Sequence, residues 1–480
     1  MTRETIPLAE VSFLPSAQLD PNGRTFGWRG ELFRVIPRGR AAFFRDLAER
    51  GVLMRLQAEG LLVASDVTNY SIHEGDLVLH HPVIPVVSYC YEWPPEMLKA
   101  AALLTLDLCL RLAEWDLTLQ DAHPWNVLFR ATQPVFVDAG SIVPCRPDIL
   151  WAAYDQFCQL FLFPLYLYAA GRDRIARWLL HDRIDGVTAK DALSSLPVWR
   201  MLCSLRLISR LGLPRFLAGI FERLPDGVQA RLLRFSATTH TKLASRRVRI
   251  NFFARLRADV QRIRFSSRPG PWRTYYANEG RSIDRATILE PPQEWGRKQE
   301  AIRDILANLR PRTVTDLGCN IGNYTLLAAA FGARVIGCDT DAGSVSMLYE
   351  RVKAQSLDIH PLVLDPFRPV PSYGGGGEIT QSAADRLSSD LVMALALVHH
   401  VIRHQGLGIR PVVEACRAYA RRWLLVEFVP SEPSRTPVAL EYRVAVDGVE
   451  AFEKILYEQA RHVAKFASHP EGRVLYLCTV

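Results

Sequence analysis

The most constraining stretch of the chain is an apolar run that ends in a glycine-rich turn. Thr313 to Leu317 reads as a buried strand and runs straight into Gly318-Cys319-Asn320-Ile321-Gly322. Tyr324 to Phe331 is apolar and alanine-rich, as a helix would be. Ala333 to Cys338 reads as a second strand, ending at Asp339. Strand, tight turn, helix, strand and terminal acid make the repeating unit of an α/β sheet. Gly318 and Gly322 let the backbone turn sharply and approach a ligand, and the turn's free amides would face that ligand at the helix start. Asp339 lies 23 residues beyond Asp316, where an acid after the second strand accepts hydrogen bonds from ribose hydroxyls.

A nicotinamide site would want G-x-G-x-x-G, whereas here the spacing is Gly318-x-x-x-Gly322. Preceded by Asp316, it resembles the first motif, D-x-G-x-x-x-G, of class I S-adenosylmethionine-dependent methyltransferases. Ala301 to Leu309 reads as the helix before it. The other elements of that family follow in order: Leu362 to Asp365 as a third strand, Asp390 to Leu397 as a fourth and Arg422 to Phe428 as a fifth. Lys465 to Ser468 and Val474 to Thr479 would form the terminal hairpin.

The resemblance implies an α/β fold with a C-terminal Rossmann-like methyltransferase domain over residues 291–480, built on a seven-stranded doubly wound sheet. It implies S-adenosylmethionine as cofactor, with Asp316, Gly318, Asn320, Gly322, Asp339, Asp365 and Ala394 at its site. Asp365 would lie near the adenine. His399 and His400 follow the fourth strand, at the edge where such sheets place ligands. An imidazole titrates near neutral pH, so either is a candidate base; alternatively one caps the strand end and packs against the cofactor. The Asn/Asp-Pro-Pro-aromatic motif of amino-group methyltransferases on nucleic acid is missing at this strand. A small-molecule or glycan acceptor, methylated on oxygen or carbon, is therefore expected rather than nucleic acid. Leu-Ala-Leu-Val-His-His, together with Leu425 to Pro430, resembles the bacterial proteins related to the nodulation protein NoeA, over nearly the whole chain.

Upstream, Leu77 to Leu79 and Val83 to Val87 are strand candidates, and Met97 to Leu112 is a nearly all-apolar helix suited to burial. Asp121 precedes Asn126 by five residues, and Asp138 follows an apolar strand. This is the spacing of a kinase catalytic loop and its metal-binding Asp. It resembles aminoglycoside phosphotransferases, which implies an N-terminal α+β protein-kinase-like domain over residues 1–245. By that match Asp121 would be the base, and Asn126 and Asp138 would hold Mg²⁺ with ATP, if the site is active. Glu92 and Trp93 fall near the expected hinge. The departures are a missing phosphate-anchoring Lys, for which Arg34 is the one stand-in, Leu119 where a His is usual, and Gly23, Gly27 and Gly30 outside the usual loop spacing. A degenerate site that aids acceptor binding is expected. A bifunctional kinase-methyltransferase and a regulatory protein that binds both ligands without turnover are the alternatives.

At 480 residues the chain needs more than one core, and 49% hydrophobic with 22% charged residues excludes general disorder. The net charge of +8 is nearly all Arg and is spread out, which suits composition better than a polyanion-binding tail. Nine Cys without a CxxC pair fit a reducing, cytoplasmic setting. Met1 to Glu10 has no signal-like apolar core. The most apolar stretch, Phe157 to Ala170, contains Pro164 and is shorter than the roughly 20 residues of a membrane span. Tyr154 to about Arg234 reads as several short helices. Arg246 to Phe265 is a basic amphipathic helix, read as a solvated connector, and with the linker Ser266 to Pro271 it makes a connecting region over 246–290. Gly374 to Gly377 is a second flexible spot.

Overall fold

A computed structural model of the protein describes residues 4–14, 22–196, 245–265, 296–368, 380–430 and 448–480. Two units divide the chain at Ser266/Ser267, with Val86–Ser88 and Arg130–Thr132 grouped with the second. The linker Ser266 to Pro271, the glycines Gly374 to Gly377 and the helices expected from 197 to 234 lie outside the described residues.

The first unit begins with a five-stranded antiparallel sheet of β1 (Ser12–Phe13), β2 (Arg24–Trp28), β3 (Glu31–Ile36), β4 (Asp66–Val67) and β5 (Leu77–His81), in the order β1-β2-β3-β5-β4. Alternation along β2 and β3 sends Phe26, Trp28 and Phe33 into a common core with Ile72 and Val78. Val83 to Val87 joins no ladder. Pro82 and Pro85 have no N–H to give a neighbouring strand, so the apolar run stays irregular.

Helix α1 (Pro95–Ala113) is the expected apolar helix, buried along most of its length. After it come β6 (Leu117–Leu119), β7 (Val127–Arg130), β8 (Gln133–Phe136) and β9 (Ile142–Pro144). In this segment β7 pairs with β8, and β9 runs antiparallel to β6.

The basic helix α2 (Arg246–Gln261) is not a solvated connector; it belongs to the first unit and packs along α1. Phe253, Leu256 and Val260 are fully buried on one face. Three of its five arginines have fixed partners: Arg257 with Asp107, Arg246 with Asp116, and Arg249 with the carbonyls of Arg146 and Ile149. Lys99 of α1 caps its C-terminal end, donating to the carbonyls of Gln261 and Ile263 at 2.8 Å each, as cations do at orphan helix carbonyls. The two carboxylates that pair with this helix lie 130 and 150 residues away in sequence.

The second unit is built of α3 (Arg297–Leu309), β10 (Thr313–Leu317), α4 (Asn323–Ala330), β11 (Arg334–Asp339), α5 (Ala342–Gln355), β12 (Ile359–Val363), β13 (Ser389–Ala394), α6 (Val398–Gln405), α7 (Ile409–Ala418), β14 (Ala420–Phe428), α8 (Val449–Gln459), β15 (His462–Ala467) and β16 (Val474–Thr479). The sheet order is β12-β11-β10-β13-β14-β16-β15. The first five in this order are parallel, and β16 runs antiparallel to both β14 and β15. The order reverses between β10 and β13, which opens a crevice at the carboxyl ends of the strands. The third and fourth strands stop earlier than expected, at Val363 and Ala394. This leaves Leu364, Asp365 and Leu395 to Leu397 as edge loops. Among the described residues no helix is long and apolar enough to cross a membrane.

Candidate functional site

The turn after β10 is held by its own neighbours. Gly318 and Cys319 N–H groups both donate to the Cys338 carbonyl, at 2.8 and 2.9 Å, and the Gly322 N–H donates to the Cys319 carbonyl. The Asn320 N–H donates to Asp339 Oδ2 at 2.8 Å. Four of the turn's five amides are thus satisfied within the protein, and the expectation that they face a ligand is corrected. With the adjacent strand so close, its carbonyl and carboxylate reach them first.

Gly322 is required on two counts. Its φ is +85°, and a Cβ there would collide with Leu348 Cδ1 on α5. Gly322→Ala is expected to destabilise the second unit by about 3 kcal/mol, combining left-handed backbone strain with overpacking. Urea unfolding measures this, and a loss under about 1 kcal/mol would mean that Leu348 moves aside at little cost.

A cavity of about 390 Å³ lies over the carboxyl edge, lined by Gly318, Asn320, Asp339, Asp365, His399 and His400 among others. That volume is in the range of small-molecule and cofactor sites. Asp316, Gly322 and Ala394 do not line it. Asp316 is buried beneath the turn, where its Oδ2 accepts from Thr325 Oγ1 at 2.7 Å, and burial pushes its carboxyl up to about 7. Asp339 accepts from two backbone N–H groups, Asn320 on Oδ2 and Asp341 on Oδ1 at 2.9 Å. Burial raises its pKa, while these donors pull it back. A carboxylate has about four lone-pair sites, so acceptor capacity is left over.

Sequence reasoning missed Gln405 and Arg473, both in the lining. Gln405 Nε2 donates to Asp365 Oδ2 at 3.0 Å, and its Oε1 is buried with no hydrogen-bond partner. His399 Nδ1 is likewise buried and unpartnered. Buried polar atoms of this kind are rare and mark places where a ligand completes the set. Burial, and then electrostatic repulsion from His400, Arg403, Arg473 and Lys298, lower His399 to about 3. The imidazole is neutral at physiological pH, with His400 beside it at a ring-centroid distance of 3.9 Å.

A buried pair stands behind this edge. Glu427, at the end of β14, is fully buried and accepts from Lys298 Nζ at 2.5 Å and Ser468 Oγ at 2.6 Å. The strand pattern hid it, since Leu425 to Phe428 reads as apolar around one acid.

In the first unit, Asp121 follows β6, Asn126 leads into β7, and Asp138 lies two residues past the end of β8. Asn126 Nδ2 donates to Asp138 Oδ2 at 3.2 Å. Arg34, on β3, forms an ion pair with Asp138 Oδ1 at 2.6 Å, with both side chains largely buried. The guanidinium therefore stands against the carboxylate that the kinase resemblance would assign to Mg²⁺. Arg40 fixes the next turn, donating to the carbonyls of Gly140 and Ile142. Burial lowers His123 to about 4.

No protein-family model matches the chain. Among solved structures, monomeric WbdD matches at a TM-score of 0.30 and 18% identity, over 42% of this chain and 43% of that one; the match spans less than half of the WbdD chain. The magnesium protoporphyrin IX methyltransferase ChlM of Synechocystis PCC 6803, with bound SAH, matches at 0.26 and 16%, over 43% of this chain and 96% of that one. TehB of Haemophilus influenzae matches at 0.27 and 13%, over 43% and 66%. The nodulation protein NoeA of Rhizobium meliloti (strain 1021) is 30% identical over 468 residues, which is 95% of this chain and 94% of that protein. With that identity sustained over almost its entire length, the chain belongs to the family of the nodulation protein NoeA.

Proposed function

We propose that the second unit is an S-adenosylmethionine-dependent methyltransferase acting on an oxygen or carbon of a small-molecule or glycan acceptor. The first unit is a kinase-like domain without phosphotransfer that aids acceptor binding. The observation that carries this reading is the edge cavity, which Asp339, the Asp365–Gln405 pair and His399 line from successive strand ends. The donor set fits the cofactor. Asp339 has acceptor capacity for ribose hydroxyls, and Asp365 with Gln405 Oε1 suits an adenine amino group. The carboxylates of Asp339, Asp341 and Asp365 favour a cationic ligand.

When bound, S-adenosylmethionine supplies an electrophilic methyl group on a cationic sulfonium. The protein's part is chiefly to align the acceptor with it. His399, neutral and with a buried ring nitrogen in need of a partner, hydrogen-bonds the acceptor. Its low pKa makes it a weak base, so it orients the attacking atom more than it removes the proton. In the first unit the Arg34–Asp138 pair supports loss of Mg²⁺-dependent phosphotransfer.

The full-length protein is expected to melt at a higher temperature with S-adenosylhomocysteine, by the equivalent of about 2.7 kcal/mol at ~100 times its Kd, and to show no shift with ATP and Mg²⁺. No shift with S-adenosylhomocysteine removes the cofactor reading. A shift with ATP and Mg²⁺ restores the bifunctional one.

A further inference from the structure

The cavity has two chemically different ends. Asp339, Asp341 and Asp365 line it at the carboxyl ends of β11 and β12. At the other end stand His399, His400 and Arg473, at the start of α6 and immediately before β16. The groups whose electrostatic interaction disfavours a charge on His399 are His400, Arg403, Arg473 and Lys298. Of these, Lys298 is taken up by Glu427. Arg473 is partly exposed to the cavity, and its guanidinium makes no hydrogen bond or ion pair with any described residue. A guanidinium lining a cavity, with five donors in a fixed fork and no carboxylate to take them, is suited to a planar or tetrahedral oxyanion.

Its position assigns that oxyanion to one of two ligands. Strands lie about 4.8 Å apart, so β16 is three steps, or roughly 14 Å, from β10, where the glycine turn begins. A cofactor with adenine at Asp365 and ribose at Asp339 spends its length over β12, β11 and β10. Arg473 stands beyond it, on the side where His399 offers its unpartnered nitrogen.

We propose that His399, His400 and Arg473 form an acceptor subsite in which Arg473 anchors a carboxylate or phosphate group carried by the methyl acceptor. This rests on the methyltransferase reading and adds to it the substrate class: an acceptor that bears an anionic group as well as the atom to be methylated. Arg473 is a binding residue that sets specificity. It holds the acceptor by its charge, while His399 meets the attacking atom.

The test uses the full-length protein with inorganic phosphate as probe. S-adenosylhomocysteine is first titrated alone into wild type, Arg473→Gln and Arg473→Lys by calorimetry. Phosphate is then titrated into each protein saturated with S-adenosylhomocysteine and followed by phosphorus NMR line broadening. Wild type is expected to bind phosphate without releasing S-adenosylhomocysteine. Arg473→Gln should weaken phosphate binding about tenfold while S-adenosylhomocysteine affinity stays within about twofold, and Arg473→Lys should fall between. The proposal is overturned if wild type binds no phosphate, or if Arg473→Gln binds it as well as wild type does. It is also overturned if phosphate competes with S-adenosylhomocysteine, or if Arg473→Gln loses about tenfold in its affinity, since Arg473 would then hold the cofactor's own carboxylate. Failure of wild type to bind S-adenosylhomocysteine in the first titration is a separate result, and it overturns the methyltransferase reading itself.

Discussion

Asp339→Ala is expected to lower affinity for S-adenosylhomocysteine by about 100-fold or more, read by calorimetry. Two effects add. The carboxylate is the acceptor proposed for the ribose hydroxyls, and hydrogen bonds to a charged group contribute about 1.5–3 kcal/mol each. It also receives the N–H groups of Asn320 and Asp341. Asn320 sits at φ +52°, in the left-handed region that Asn adopts more readily than most residues other than glycine. Without the carboxylate, the turn loses one of the contacts that hold it to the end of β11, and keeps those of Gly318 and Cys319 to the Cys338 carbonyl. Asp339→Asn keeps one acceptor oxygen and should retain part of the affinity. An unchanged affinity in Asp339→Ala would rule out the ribose contact and leave Asp339 as a turn support only.

The largest effect on stability is expected from Lys298→Met. Glu427 is fully buried, and Lys298 supplies its only formal counter-charge among the described ion pairs. Removing one partner of a buried pair leaves a charge in low dielectric, which costs about 3–5 kcal/mol. For a unit of this size that corresponds to a fall in melting temperature of roughly 10 °C. The hydrogen bond from Ser468 remains but cannot replace the ammonium. The double variant Lys298→Met/Glu427→Gln should recover most of the loss, because a neutral amide needs only hydrogen bonds. Equal stability of the single and double variants would show that the cost of Lys298→Met is lost packing, for instance over the Tyr324 ring 5.3 Å from the ammonium.

Much of the second unit could be read from the chain because its signals are local. An apolar strand, the Gly318-x-x-x-Gly322 turn and an alanine-rich helix each declare themselves within a few residues. Asp339 follows because a strand end places its last side chain at the sheet edge. The same local logic failed at Val83 to Val87, where apolar content suggested a strand and two prolines removed the donors a ladder needs. It failed again at Arg246 to Gln261, where an arginine-rich face reads as solvated until α1 and the turn after it bring Asp107 and Asp116 against it.

By itself, then, the sequence determined the order of elements in the second unit, the need for glycine at the turn and the acid at the end of β11, all set by short-range backbone geometry and strand periodicity. Only the tertiary structure decided which groups are available to a ligand. Cys338 and Asp339 consume the turn amides, Thr325 takes Asp316, and Arg34 takes Asp138. Gln405 comes to the cavity from the end of α6, and Arg473 from the turn of the hairpin whose strands β15 and β16 complete the sheet. The physical reason is that a polar side chain's role depends on what has already satisfied it, and that is settled by neighbours distant in sequence and close in space.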